Sequence, residues 1–203
     1  DVLGSRGLGD VYKRQVIGSS AGGIDAIEKI LKPLKKGFPA AVLIVQHLSN
    51  YSSGYMIKHL NDVCNINVKE ADEKEKILLG NVYVAPANYH LLVEKDETMS
   101  FTVDPKVNHS RPAIDVLFES AAEVYRDELI GIILTGASSD GSKGLKKIKD
   151  FGGIIIVQDP GTAESIFMPN TAIKAVEVDY ILTLDEIRNK LIELVVNINE
   201  KQK

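Results

Sequence analysis

"VIGSSAGGIDAI", Val16 to Ile27, decides how the chain is read. A short apolar run ends in two serines, an alanine and two glycines, and a helical pattern follows at once. A strand that breaks into small residues and opens a helix is either a phosphate cradle or a turn that presents a nucleophile. The stretch lacks G-x-G-x-x-G spacing and a Walker lysine, and the next strand ends in Gln46 and His47 where a ribose-binding acid is expected. The nucleophile turn is therefore the better reading.

Outward from this turn, apolar runs alternate with helical patterns. "VIG" precedes a helix over Ile24 to Leu34, and "AAVLIVQ" one over Tyr55 to Cys64. "LIGIILTG" precedes Ser142 to Phe151, "GGIIIVQD" precedes Pro169 to Val176, and "VDYILTL" precedes Asp185 to Asn197. This rhythm predicts an α/β fold: a doubly wound, mostly parallel sheet with helices on both faces, in one domain. The Ile- and Val-rich strands show little alternation, as strands buried on both faces do. One stretch departs from the rhythm: Asn81 to Asp104 alternates with period two and turns at "KDET", which reads as an inserted antiparallel hairpin. "SRPAIDVLFESAAEVY", Ser110 to Tyr125, reads as a helix with Pro112 in its first turn.

The chain of 203 residues is long enough for one well-buried domain. With 24 basic and 28 acidic residues, a net charge of −4 gives no electrostatic case for nucleic acid or an anionic membrane. The single cysteine, Cys64, forms no intrachain disulfide and reads as core filler in a reducing, cytoplasmic setting. No apolar run reaches the ~18 residues that span a bilayer, so no membrane insertion is expected.

Ser5 to Gln15, "SRGLGDVYKRQ", has no apolar periodicity. It is identified as the translation of a transposase adapter used in shotgun sequencing libraries, so residues 1–15 are set aside as a scar. Residues 16–197 are expected to form the catalytic domain and 198–203 a polar tail, with the native start lost upstream of Val16.

In open parallel sheets, sites form outside the carboxyl ends of the strands. Ser19 and Ser20 follow the first strand, His47 the second, and Ser138, Ser139 and Asp140 follow "IGIILTG". Serine, histidine and aspartate make a nucleophile, a base and the group that orients the base. Backbone N–H groups at the helix opening after Ser20 suit a tetrahedral oxyanion, and Gly22 and Gly23 keep the turn open.

With those residues in view, the chain resembles the catalytic domain of the chemotaxis protein-glutamate methylesterase family (CheB type). The resemblance rests on "VIGSSAGG", "VLIVQHL", "VYVAPANYHLLV", "SRPAIDVLFESAA" and "IILTGASSDGSKGL", followed by "GGIIIVQDP" and "MPNTAI" in family order. It implies a Rossmann-like hydrolase acting on γ-glutamyl methyl esters of chemoreceptor helices, with glutamine deamidation as a second activity. Matched to the family's motifs, Ser20 becomes the nucleophile, His47 the base and Asp140 its orienter, and Ser19 a neighbour. Ala21, Gly22 and Ala137 fall at oxyanion or near-site positions. Ala21 stands where the family commonly has threonine, and Ala137 where it has methionine. His90 and Arg111 are peripheral, and Arg111 reads either as a contact for an acidic receptor surface or as a solvated or structural arginine.

No cofactor and no metal is implied. The partners implied are methylated chemoreceptor helices or related signalling proteins, with an upstream receiver domain or a separate regulator. Two other readings stay open: a non-catalytic binding module derived from this fold, and a nucleotide-binding α/β domain.

Overall fold

The computed structural model describes residues 14–48 and 53–196. Its centre is β1, Arg14–Ser19, flanked in parallel by β2, Ala41–Gln46, and β7, Leu129–Ile133. Beyond β2 lie β4, Asn81–Val84, and the edge strand β3, Asn67–Glu70; beyond β7 lie β8, Ile154–Gln158, and β9, Tyr180–Leu182. Every pairing in this seven-stranded sheet is parallel, in the order β3-β4-β2-β1-β7-β8-β9. The chain starts in the middle, builds one side, then returns to build the other. The reversal falls between β1 and β7, and a crevice opens there at the strands' carboxyl ends.

Neighbouring residues of the central strands serve opposite cores, which is why the sequence shows no alternation there. Val16, Leu43, Val45 and Ile155 pack into one apolar cluster, and Ile17, Ile44, Ile132 and Ile156 into the other. The first cluster is covered by α3, Ile114–Tyr125, α4, Ser142–Asp150, and α5, Phe167–Ala175. The second is covered by α1, Gly23–Leu31, α2, Ser53–Val63, and α6, Leu184–Val196. Cys64 is half-buried against this second cluster, and burial, with the nearby Glu28 charge, pushes its thiol up to about 11. Among the described residues no helix is long and apolar enough to cross a membrane.

The structure departs from the sequence expectations at four places. The period-two stretch divides: β4 joins the parallel sheet, and only β5, His90–Val93, and β6, Met99–Thr102, form the antiparallel hairpin, a separate two-stranded sheet. Alternation alone could not separate them, although they differ in packing: Val82 and Val84 of β4 join the second cluster and Tyr83 the first, while Leu91, Val93 and Met99 of the hairpin all join the first. β3 is too short and polar to announce itself, with Val68 its one buried residue, as befits an edge. α3 starts at Ile114 instead of Ser110, because a residue before proline is held out of the helical region and Ala113, at the N-cap, is extended. β1 itself begins at Arg14, two residues before Val16. The adapter-like residues 1–13 and the chain from 197 onward lie outside the described residues.

Candidate active site

β1, β2 and β7 deliver their following residues to one crevice. Ser19, the last residue of β1, is fully buried and its hydroxyl donates to Gln46 Oε1 at 2.6 Å. Gln46 Nε2 in turn donates to the carbonyls of Ser20, at 2.7 Å, and His47, at 3.0 Å. One amide thus ties together both turns. Ser20 is half-buried, its N–H donates to Thr135 O at 3.0 Å, and its hydroxyl makes no hydrogen bond among the described residues. Of the two serines, Ser19 has its hydroxyl committed to Gln46, and Ser20 is the one whose hydroxyl is uncommitted among the described residues.

The glycines after Ser20 are there for lack of room. A Cβ on Gly23 would lie 1.9 Å from Gln46 Oε1. Gly22, the α1 N-cap at φ 74, would carry a Cβ 2.7 Å from Glu164. No side chain caps α1, and the N–H groups of Ala21 and Gly22 donate to no backbone or side-chain acceptor among the described residues. The Ala137 N–H, across the crevice, is equally uncommitted. Thr135 Oγ1 fixes this opening by donating to Ala21 O at 2.8 Å.

His47 Nε2 lies 2.9 Å from Asp140 Oδ2. Asp140 is fully buried and holds further donors: the Ile114 N–H at 2.6 Å on Oδ2, and the Asp115 N–H at 3.1 Å and Asn108 Nδ2 at 3.0 Å on Oδ1. Burial pushes the Asp140 carboxyl up, but the bonds from His47, Ile114, Asn108 and Asp115 together outweigh it and hold it below the usual carboxylate range. An ionised carboxylate only accepts, so Nε2 carries a proton, and in the neutral ring Nδ1 is the nitrogen with the lone pair. Asp140 also stands where α3 lacks a local cap, favoured there by the helix dipole.

Ser20 and His47 line a cleft of about 540 Å³ together with Asn108, His109, Ala137 and Phe167. They also line a second depression of about 450 Å³, on the side of Ala21, Ile24 and Leu48. The pair therefore stands between two hollows. Among the described residues no group of three or more His, Cys, Asp or Glu side chains is arranged to hold a metal ion.

The peripheral candidates are engaged elsewhere. His90 is buried, accepts the Ala113 N–H at Nδ1, 3.1 Å, and bonds Pro105 O through Nε2 at 3.2 Å, bracing the start of α3. Arg111 Nη1 donates to the carbonyls of Val103, at 2.7 Å, and Asp104, at 3.1 Å, closing off the hairpin. Asn108, Asp115 and Gln46 escaped the sequence reading. Only Gln46, adjacent to His47 at a strand end, carried a signal; the other two act through bonds to residues far away in the chain.

The sequence profile of the CheB methylesterase family matches residues 15–191. A protein of Leptospira interrogans, provisionally named protein-glutamate methylesterase/protein-glutamine glutaminase, is 56% identical over 183 residues, covering 90% of this chain and 95% of its own. The Thermotoga maritima protein-glutamate methylesterase/protein-glutamine glutaminase is 39% identical over 183 residues, covering 89% of this chain and 53% of its own. The chain thus spans about half the length of that relative. The crystal structure of the Thermotoga maritima CheB methylesterase catalytic domain matches with a TM-score of 0.88 at 37% identity, covering 90% of this chain and 98% of that one.

Proposed function

Since the chain belongs to the CheB methylesterase family, we propose that it hydrolyses glutamate γ-methyl esters on chemoreceptors, and the corresponding glutamine amides, through Ser20, His47 and Asp140. The observation that carries this is the His47–Asp140 contact, in a crevice where Ser20 offers an unbonded hydroxyl.

Ser20 Oγ attacks the ester carbonyl while His47 Nδ1 takes its proton. Asp140, accepting from Nε2–H, fixes the tautomer and stabilises the imidazolium. The oxyanion is met by N–H groups of the Ala21 turn and Ala137, assisted by the amino end of α1. These are backbone donors, so alanine in place of threonine or methionine leaves them in position. The intermediate collapses, His47 returns the proton to the departing methoxide, and methanol leaves a glutamyl ester on Ser20. Water, deprotonated by His47, then attacks that ester, and the proton passes back to Ser20 as the glutamate carboxylate is released. With glutamine, ammonia is the leaving group. The orientation uses the opposite ring nitrogens from the familiar serine-protease triad, where the carboxylate meets Nδ1 and Nε2 serves the serine.

A cytoplasmic setting fits substrates on receptor signalling helices. Methanol release from a methylated chemoreceptor fragment, measured beside a Ser20→Ala variant, tests the reading. Release by the parent alone supports it; equal release by both overturns it.

A further inference from the structure

Val107 and Ser110 exchange both backbone hydrogen bonds, at 3.1 and 2.9 Å, and close a two-residue turn on Asn108 and His109. Both turn residues have positive φ, 49° and 67°, the signature of a type I′ turn, where asparagine is favoured first and glycine second. His109 in the glycine position is a conformational cost carried at the rim of the active-site cleft. The turn points the Asn108 amide inward. Nδ2 donates one hydrogen to Asp140 Oδ1 at 3.0 Å and the other to Asp115 Oδ2 at 2.8 Å. Asp115 is itself buried, and its Oδ1 accepts the Gly144 N–H at 2.8 Å, inside the first turn of α4.

Building on the reading of Ser20, His47 and Asp140 above, we propose that Asn108 is a positioning residue: its amide spans two buried carboxylates and holds Asp140 so that Oδ2 meets His47 Nε2. Each Asp140 oxygen then has a fixed assignment, Oδ2 to the imidazole and Oδ1 to Asn108. Two adjacent carboxylates would otherwise repel each other in a site with little water. Both hydrogens of one amide group answer both charges from a position that also lines the cleft. The remaining donors to Asp140 are backbone N–H groups that α3 fixes in place, so Asn108 is the adjustable member besides His47.

The titratable groups facing Asp140 are His47 from the end of β2 and Asp115 from α3. Glu119, one turn along α3, feels the Asp115 charge and is answered by Lys147 and Lys143 of α4, while His109 lines the cleft on the turn itself.

The test uses the whole chain and methanol release from a purified chemoreceptor fragment bearing glutamate methyl esters. Asn108→Ala is expected to lower kcat by about 10- to 100-fold with KM within about two-fold, the scale of one hydrogen bond to a charged group. Asn108→Asp keeps the side chain's shape and adds a third carboxylate, so the acid limb of the pH–rate profile moves to higher pH. In an Asp140→Asn background, Asn108→Ala costs little further, because the residue acts through Asp140. A thermal melt of each variant checks folding; should Asn108→Ala not fold, the isosteric Asn108→Asp carries the test alone. An unmoved acid limb in Asn108→Asp, or an undiminished cost of Asn108→Ala beside Asp140→Asn, overturns the positioning role. Turnover surviving in Ser20→Ala overturns the underlying site instead.

Discussion

Oδ2 of Asp140 lies 2.9 Å from Nε2 of His47 and 2.6 Å from the N–H of Ile114, so one carboxylate oxygen both orients the imidazole and caps α3. Catalytic geometry and helix stability are joined at that atom. Asp140→Asn is expected to lower kcat by up to ~10⁴, because an amide no longer enforces the Nε2–H tautomer. It also costs roughly 1–3 kcal/mol of stability through the weakened cap. Parallel kinetics and denaturant melts check both; full activity in the variant would falsify the orienting role.

The stability contribution has a defined pH dependence. Because Asp140 titrates below the ordinary carboxylate value in the folded chain, its contribution is complete above the unfolded value of about 4 and disappears as pH falls through the folded value. The gap between parent and Asp140→Asn should accordingly be widest near neutrality and narrow on acidification below about pH 4. Asp115, raised first by burial and further by the Asp140 charge, despite bonds from Gly144 and Asn108, contributes with the opposite sign. Melts of both proteins over that range would show a constant gap if the assignment were wrong.

The two serines separate by experiment. Ser20→Ala should reduce methanol release at least ~10³-fold while leaving the melting temperature close to that of the parent. Ser19→Ala removes the bond to Gln46 and should destabilise by about 1 kcal/mol, with activity lowered modestly. Reversed results would exchange their roles.

Gln46→Leu tests the fastening of the turns. Its amide serves Ser19, Ser20 and His47, so an apolar replacement strands their polar atoms in the interior at a cost of roughly 2–4 kcal/mol. A drop in kcat should accompany the lost stability, since both Ser20 and His47 are released. A variant as stable as the parent would show that the amide is dispensable.

Gln15 offers a gain. It is fully buried in β1, and among the described residues neither its Oε1 nor its Nε2 has a partner. Gln15→Leu is expected to stabilise by about 1–3 kcal/mol, or raise Tm by some 2–4 °C per kcal/mol. A lower Tm would count against this expectation.

Much of this was legible from local signals. Unalternating Ile and Val runs mark the central strands, and the rule that sites gather at strand carboxyl ends points to Ser20, His47 and Asp140, of which His47 and Asp140 lie 2.9 Å apart and Ser20 and His47 line one cleft. The start of α3 is not marked locally because its cap is not local: the Ala113 N–H donates to His90 Nδ1, and the N–H groups of Ile114 and Asp115 donate to Asp140. Asn108 and Asp115 stayed silent for the same reason. "NH" in a polar loop and an aspartate in the first turn of a helix are ordinary in isolation, and only the fold brings them to within 3 Å of each other.

The doubled duty of Asp140 also sets how this architecture can decay. A descendant freed from selection for hydrolysis can discard the Ser20 hydroxyl at almost no cost to folding, whereas replacing Asp140 weakens the cap on the amino end of a helix packed into the main core. Relatives retired to pure binding should thus keep the aspartate long after the serine has drifted. On the proposed roles, an intact aspartate is a record of the scaffold, and the serine is the residue whose presence reports a working enzyme.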